Sequence, residues 1–411
     1  MVEESLILRF FSARNEFWQE STQNFRHLQV PQTDGVIMHI GVPKEVKNNE
    51  NRVAATPAGV FELVRRGHSV VVERAAGVGS RISDEQYIEA GASIAETADE
   101  VWASAELVLK VKEPVAEEFP RMRAGQTLFT YLHLAASRAC ADALLAAGTT
   151  GIAYETVQLA DRSLPLLQPM SEVAGRLSTQ VGAFHLMSAA GGRGILLGGV
   201  PGTPKAKVVV IGGGVAGEHA AANALGMGAD VTIIDLSLPR LRELEIRFGG
   251  AIQTRSSSAY EIAAQLKEAD LVIGSVLIPG AQAPKLVTDA MVATMKPGSV
   301  LVDIAIDQGG CFEGSHPTTH DDPVFAVHDT VYYCVANMPG AVPETSTRAL
   351  TNATLPYVVA LADKGWARAL ADDPALAKGL NTHDGRVYNA GVATALDVVG
   401  HDTAELLART A

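Results

Sequence analysis

Three side chains of complementary chemistry stand just past short apolar runs in the first half of the chain. Arg52 lies in Glu50-Asn51-Arg52-Val53-Ala54, Lys112 in Leu109-Lys110-Val111-Lys112-Glu113-Pro114, and His133 in Phe129-Thr130-Tyr131-Leu132-His133-Leu134. Two cations beside a titratable imidazole suit a small anionic substrate such as a carboxylate. The cations neutralise and orient the anion, and the imidazole gives or takes a proton near neutral pH. Asp303-Ile304-Ala305-Ile306-Asp307-Gln308-Gly309-Gly310 supplies a carboxylate, either Asp303 or Asp307, that could reach across a cleft. Each residue also has a plainer reading. Lys110 and Lys112 alternate and could both be solvated, a lone histidine at a strand end is more often structural, and Asp303 could simply cap a turn.

A second constellation follows the apolar run Val208–Ile211, which leads into Gly212-Gly213-Gly214-Val215-Ala216-Gly217. This is G-x-G-x-x-G. Gly212 permits a tight turn, Gly214 lets the backbone approach a pyrophosphate, and Gly217 lets the following helix pack against the strand, its N-terminus facing the phosphates. Asp235 closes the next apolar run, eighteen residues past Gly217. A carboxylate there accepts from both ribose hydroxyls and repels a 2′-phosphate, which favours NAD over NADP. Arg240 argues the other way, because an arginine nearby can accommodate that phosphate. Asn337 and Met338, ahead of Pro339, could close over a nicotinamide or form an ordinary turn. His316, His320, Asp321 and Asp322 look faintly like metal ligands but fit no zinc spacing, so they are read as a solvated loop and no metal is expected.

The elements that must position these groups alternate between strand and helix from Met38 onward. Strands are expected at 38–42, 69–73, 107–111, 127–132 and 151–154. A helix capped by Thr56-Pro57 runs to Gly67, and another runs from Ser137 to Gly148. Ser171 to Ala190 is read as a long connecting helix. A second series has strands at 208–211, 231–234, 271–273, 300–302 and 332–335, with helices starting near Val215, Leu238, Ala259 and Thr288. A further helix is expected over 350–362. Such βα alternation implies parallel sheets covered on both faces. The expected fold class is α/β: two Rossmann-like parallel-sheet domains, with an NAD-binding domain (171–342) inserted into a discontinuous substrate domain (38–170 and 343–411).

Composition limits the alternatives. Of 411 residues, 47% are hydrophobic and 19% charged, enough for a large core and against global disorder. The net charge of −13 argues against nucleic acid or an anionic membrane as main partner. Three distant cysteines, Cys140, Cys311 and Cys334, make neither a disulfide framework nor a zinc site and suit a reducing compartment. No apolar run approaches the roughly 20 residues that span a bilayer. Residues 1–37, with Phe10, Phe11, Phe17, Trp18 and Phe25 among charges of both signs, are read as a disordered or loosely docked extension, or as an upstream start ahead of a body beginning at Met38. A partner-binding helix is the weaker alternative.

Taken together, these segments resemble the alanine dehydrogenase / nicotinamide nucleotide transhydrogenase α-subunit family. The resemblance is carried by Gly41-Val42-Pro43-Lys44-Glu45 with Arg52, Val111-Lys112-Glu113-Pro114, Tyr131-Leu132-His133-Leu134-Ala135, Pro169-Met170-Ser171-Glu172-Val173-Ala174-Gly175-Arg176, the Asp303–Gly310 run and Val335-Ala336-Asn337-Met338-Pro339. It covers residues 38–411. It implies an NAD-dependent, reversible oxidative deamination of L-alanine to pyruvate and ammonium by a cytoplasmic homohexamer with no nucleic-acid or membrane partner. It also implies roles. Arg52 and Lys112 would hold the substrate carboxylate and carbonyl, His133 would be the acid–base group, and Asp307 would assist the water and ammonia steps. Met170 and Ser171 would lie beside the cofactor, Asp235 on the adenosine ribose, and Asn337 and Met338 on the nicotinamide side. The alternatives are a transhydrogenase-like NAD(H)-binding subunit, a dehydrogenase for another small amino acid, and a noncatalytic NAD-binding scaffold.

Overall fold

The structure, a computed structural model, describes residues 37–276 and 283–410. Apart from Ile37, the extension considered above lies outside the described residues. Among the described residues, fifteen strands form two sheets. The first contains β1 (His39–Val42), β2 (Ser69–Glu73), β3 (Ser93–Ala95), β4 (Leu107–Leu109), β5 (Thr127–Thr130), β6 (Thr150–Ala153), and, from the far end of the chain, β14 (Leu380–His383) and β15 (Arg386–Val387). The second contains β7 (Lys207–Ile211), β8 (Asp230–Asp235), β9 (Gln253–Ser256), β10 (Leu271–Gly274), β11 (Val300–Asp303), β12 (Val324–Val327) and β13 (Thr330–Tyr333).

The two sheets repeat one topology. The first runs β3-β2-β1-β4-β5-β6-β14-β15 and the second β9-β8-β7-β10-β11-β13-β12. In each, the strands from the first edge through β6 or β13 are parallel, and the remaining edge is antiparallel. Strand order therefore reverses between β1 and β4 and again between β7 and β10. A crevice opens at each reversal, beyond the carboxyl ends of the strands.

Local sequence explains the elements. β4, β5, β6, β10 and β11 are buried at every position, as apolar runs covered on both faces should be. The covering helices are α1 (Pro57–Arg65), α2 (Asp84–Glu89), α3 (Ala98–Ser104), α4 (Arg138–Ala147), α5 (Gln168–His185), α6 (Val215–Gly226), α7 (Leu238–Arg247), α8 (Ala259–Glu268), α9 (Asp289–Val292) and α10 (Pro343–Asp372). Thr56, Ser237, Ser258 and Thr288 cap their helices by accepting a backbone N–H three residues on. α10 lays Leu350, Val358, Leu361 and Ala362 into the core of the first sheet and breaks at Gly365.

Several expectations are corrected. The connecting helix begins at Gln168 rather than Ser171, because Pro169 sits harmlessly in its first turn. It ends at His185 rather than Ala190, because the chain then folds back, with Gly194 N donating to Leu186 O at 2.8 Å. The last strand of the second sheet is Thr330–Tyr333 rather than 332–335, since its register is set by antiparallel pairing with β12. The β14–β15 hairpin was not expected, although its turn carries the Asp384-Gly385 pair, both at positive φ.

α5 and α6 pack almost backbone to backbone. A Cβ on Gly175 would lie 2.2 Å from Ala216 O, and Thr179 Oγ1 donates to Ala220 O at 2.9 Å. Gly175→Ala should therefore destabilise the fold by about 1–3 kcal/mol, the usual cost of overpacking. Gly226→Ala, whose Cβ would meet nothing within 4 Å, should be neutral or stabilise by a few tenths of a kcal/mol. Urea unfolding of the two variants checks this pair, and equal midpoints would contradict it.

Candidate active site

The loop after β1 carries Arg52 into the interior, where it is 2% exposed. A guanidinium so desolvated must be paired. Glu50 accepts from Nε at 2.7 Å and from Nη2 at 2.5 Å, while Asn337 Oδ1 accepts from Nη2 at 2.7 Å. Asn337 Nδ2 donates back to Glu50 at 2.9 Å, which closes a ring of three side chains. Among the described residues, Nη1 has only the Met170 sulfur, at 3.1 Å. Arg52, Met170 and Asn337, all singled out from sequence, thus meet around Glu50, which was not. Burial pushes the Glu50 carboxyl up, but Arg52 and Asn337 outweigh it and hold it at about 2. Met338, beside Asn337, is buried in the core of the second sheet, and Ser171 is half-buried with its hydroxyl donating to Leu167 O.

β4 delivers two lysines with opposite fates. Lys110 is fully buried between Glu45 (3.0 Å) and Glu118 (2.8 Å). Solvation is ruled out, and Lys110 is a structural ion cluster. Lys112 lies 3.9 Å from Glu113, which also takes the Lys47 ammonium. Burial raises the Glu113 carboxyl, but Lys112, Lys47 and His133 together hold it below its ordinary value. One buried oxygen of Glu113 has no hydrogen-bond partner.

β5 leads to His133, whose backbone is left-handed (φ 47°, ψ 36°). That conformation costs a non-glycine residue about 1–2 kcal/mol. Glu155, just past the end of β6, offsets it by accepting from His133 N at 2.6 Å and Leu132 N at 3.2 Å. The ring stacks on Tyr131 with centroids 5.7 Å apart and stays partly open to solvent. Arg52, Lys112, His133 and Glu155 therefore all leave the carboxyl ends of neighbouring strands of one sheet.

The second crevice holds the glycine turn. Gly212 has φ 102°, which L side chains rarely adopt, and a Cβ on Gly217 would fall 1.8 Å from Gly212 O. Gly214 faces open space, with nothing within 4 Å of its would-be Cβ, as a backbone that admits a pyrophosphate requires. Asp235 ends β8. Its carboxylate accepts from Gly213 N at 2.6 Å and Ser237 N at 2.7 Å, which fixes it beside the turn. Arg240 donates to Gly213 O at 2.7 Å and is paired with Glu218 and Glu243, so its charge is largely compensated.

Asp303 is fully buried. It accepts from Ala305 N, Cys311 N and Ser315 Oγ at 3.1, 2.9 and 2.6 Å, so it organises a turn. Asp307 is the exposed carboxylate of that turn, and it makes no hydrogen bond or ion pair with Arg52, Lys112 or His133 in this structure. The His316–Asp322 loop makes bridging contacts. Asp321 accepts from Asn49 at 3.0 Å, His320 contacts Asn337 O at 3.2 Å, and His316 stacks on Phe325. Among the described residues no group of three or more His, Cys, Asp or Glu side chains could hold a metal ion. Sequence reasoning missed Glu50 and Glu155. The one available signal was their place just past a strand, beside a residue that needs them.

Two doubly wound sheets, one crevice shaped for a dinucleotide and the other lined with cations and an imidazole, define an α/β oxidoreductase that uses a nicotinamide cofactor. Residues 41–174 match the family described as alanine dehydrogenase/PNT, N-terminal domain, and residues 178–390 match its C-terminal domain. The chain is 66% identical to an alanine dehydrogenase of Mycolicibacterium smegmatis and 64% to one of Mycobacterium tuberculosis, each over 90% of this chain and 100% of the relative. A solved L-alanine dehydrogenase superimposes with TM-score 0.85 at 52% identity, covering 88% of this chain and 99% of that one. A transhydrogenase from Sinorhizobium meliloti gives 0.73 at 28%, covering 86% and 99%. The chain belongs to the alanine dehydrogenase/PNT family.

The Arg52–Glu50 pair yields a pH prediction. The Glu50 carboxyl falls from an ordinary 4.5 to about 2 on folding, which corresponds to about 3 kcal/mol. Because the folded value is the lower one, this contribution is complete above about pH 4.5 and is lost as pH falls toward 2. Glu50→Gln should therefore be clearly less stable than the parent at pH 7, with the gap shrinking at pH 3. A gap of the same size at both pH values, measured by urea unfolding, would contradict this.

Proposed function

We propose that the protein catalyses the reversible NAD-dependent oxidative deamination of L-alanine to pyruvate and ammonium. The alanine dehydrogenase assignment rests on the relatives at 64–66% identity over their whole length. The observation that carries the chemistry is the convergence of Arg52, Lys112 and His133 at the carboxyl edge of one sheet, in a chain whose other sheet carries the glycine turn and Asp235. We infer a division of labour in which 38–170 with 343–411 holds the substrate and 171–342 the cofactor.

The residues present fit NAD. The open backbone at Gly214 would admit the pyrophosphate, and Asp235 would take the ribose hydroxyls while rejecting a 2′-phosphate. Met170, Ser171, Asn337 and Met338 would line the nicotinamide side. When bound, the nicotinamide ring accepts hydride from the alanine α-carbon. Lys112 and the Nη1 edge of Arg52, which has only a sulfur for partner, would orient the carboxylate and polarise the carbonyl oxygen. His133, partly open to solvent, would take a proton from the incoming water and return one to the departing ammonia, with Asp307 assisting from the exposed turn after β11. Arg240 does not overturn the preference for NAD, since Glu218 and Glu243 already compensate its charge. Three buried, unpaired cysteines accord with a cytoplasmic setting. No described helix is long and apolar enough to cross a membrane. A homohexamer is expected by resemblance, and light scattering after size exclusion tests it.

The deciding experiment follows NADH absorbance with pyruvate and ammonium, with 2-oxobutyrate, glyoxylate and NADPH for comparison. Rapid loss that needs both pyruvate and ammonium is expected. No loss despite measurable NADH binding would sink the proposal. His133→Ala should lower kcat by about 10²–10⁴-fold, the usual range for an acid–base group, and parental turnover would remove His133 from the mechanism. Asp235→Ala should raise KM for NADH and narrow the preference over NADPH, and an unchanged NADH/NADPH ratio of kcat/KM would show that Asp235 does not read the ribose.

A further inference from the structure

We propose that Glu155 is a positioning residue for the reaction: its carboxylate clamps the left-handed backbone at His133 and thereby aims the imidazole. The inference rests on the proposed role of His133. Glu155 lies in the single turn Tyr154–Thr156 that follows β6, and His133 lies beyond the neighbouring strand β5. One carboxylate oxygen receives His133 N at 2.6 Å and Leu132 N at 3.2 Å, and the second oxygen also lies 3.2 Å from Leu132 N. These two amides head a single-turn helix, Leu134–Ala136, and neither pairs with a strand, since β5 ends at Thr130. Without Glu155 they would lose their acceptor at a residue held in the left-handed conformation.

The geometry assigns the clamp to the backbone rather than to the ring. The Glu155 carboxylate lies 4.0 Å from the imidazole Nδ1, beyond hydrogen-bond distance. The ring lies against the face of Tyr131 and, among the described residues, neither ring nitrogen makes a hydrogen bond, so the Cα–Cβ direction fixed by φ and ψ of His133 is what the clamp can set. The other charges near it, Glu113 with Lys112 and Lys47, come from different elements and would stay in place if Glu155 were shortened. A residue acting only through His133 leaves a particular kinetic trace. It alters kcat with little change in KM, and its removal costs nothing further once the imidazole is gone.

The test compares Glu155→Ala, Glu155→Gln and the double variant Glu155→Ala/His133→Ala, each checked for NADH binding by fluorescence. Glutamine keeps an oxygen that can accept both amides, whereas alanine does not. Glu155→Ala should lower kcat by up to about 10²-fold, the scale of misplacing a catalytic group by an ångström, with KM for pyruvate changed less than about threefold. Glu155→Gln should restore most of that loss, and in the His133→Ala background Glu155→Ala should have no further effect. Hydrogen exchange of the 131–136 segment, read by mass spectrometry, should quicken in Glu155→Ala and stay near parental in Glu155→Gln. Parental kcat in Glu155→Ala, additive losses in the double variant, or unchanged exchange would each overturn the proposal. The exchange readout needs no turnover. A parent inactive with pyruvate and ammonium would therefore count against the proposed reaction, while unchanged exchange counts against the clamp.

Discussion

Burying the guanidinium of Arg52 constrains the rest of the site. A charge with 2% exposure persists only when its donors are met. Glu50 meets them from the same loop and Asn337 from the chain that follows the second sheet. A charged ring thus ties the loop after β1 to the chain that follows the second sheet. Asn49 with Asp321 adds a second polar bridge beside it. Polar joints of this kind hold Arg52 with its Nη1 edge toward the Met170 sulfur.

The same rule recurs around both crevices. Lys110 is held by Glu45 and Glu118, Lys112 by Glu113, and Arg240 by Glu218 and Glu243. What separates a structural cation from one poised for a ligand is how much of its donor capacity is consumed. Lys110 sits between two carboxylates at hydrogen-bond distance with no exposure, so nothing is left over. The nearest anion to Lys112 is 3.9 Å away, a Coulombic contact that leaves its N–H groups free. Lys110 and Lys112, two residues apart just past the end of β4, thus differ because Glu45 and Glu118 close on the ammonium of the first alone.

This is also where sequence reading succeeded and where it stopped. The glycine turn was legible because steric necessity leaves a mark: only glycine tolerates φ 102° at position 212 or the 1.8 Å approach at 217. The central strands were legible because burial on both faces demands apolar runs. The edges were not. β3, β9, β14 and β15 are short and partly polar, β12 is short and only partly buried, and their pairing rather than their composition defines them. At the site, Arg52, Lys112 and His133 drew attention as cations or an imidazole at strand ends. Glu50 and Glu155 did not, because a carboxylate in a loop is ordinary until the partner it satisfies is known. Lys110 illustrates the converse, since its sequence pattern fits a solvated strand and only the fold brings Glu45 and Glu118 to it.

The repeated strand order accounts for the shape of the whole. Each half places its reversal beside its first strand, β1 or β7, and each sends the loop after that strand into the crevice. In the second half that loop is a glycine turn that exposes backbone N–H groups, which suits a phosphate. In the first half it is longer and carries Arg52, a cation that would suit a small anion, with Glu50 to hold it in place. One topology therefore carries two different loops after its first strand, and in the first half Lys112 and His133, beyond β4 and β5, add to the difference. The left-handed turn at His133 belongs to the same logic. It leaves β5, adjacent to β4 and its lysines, so the imidazole and the cations issue from neighbouring strands of one rigid sheet, and their spacing is set by the sheet rather than by the loops.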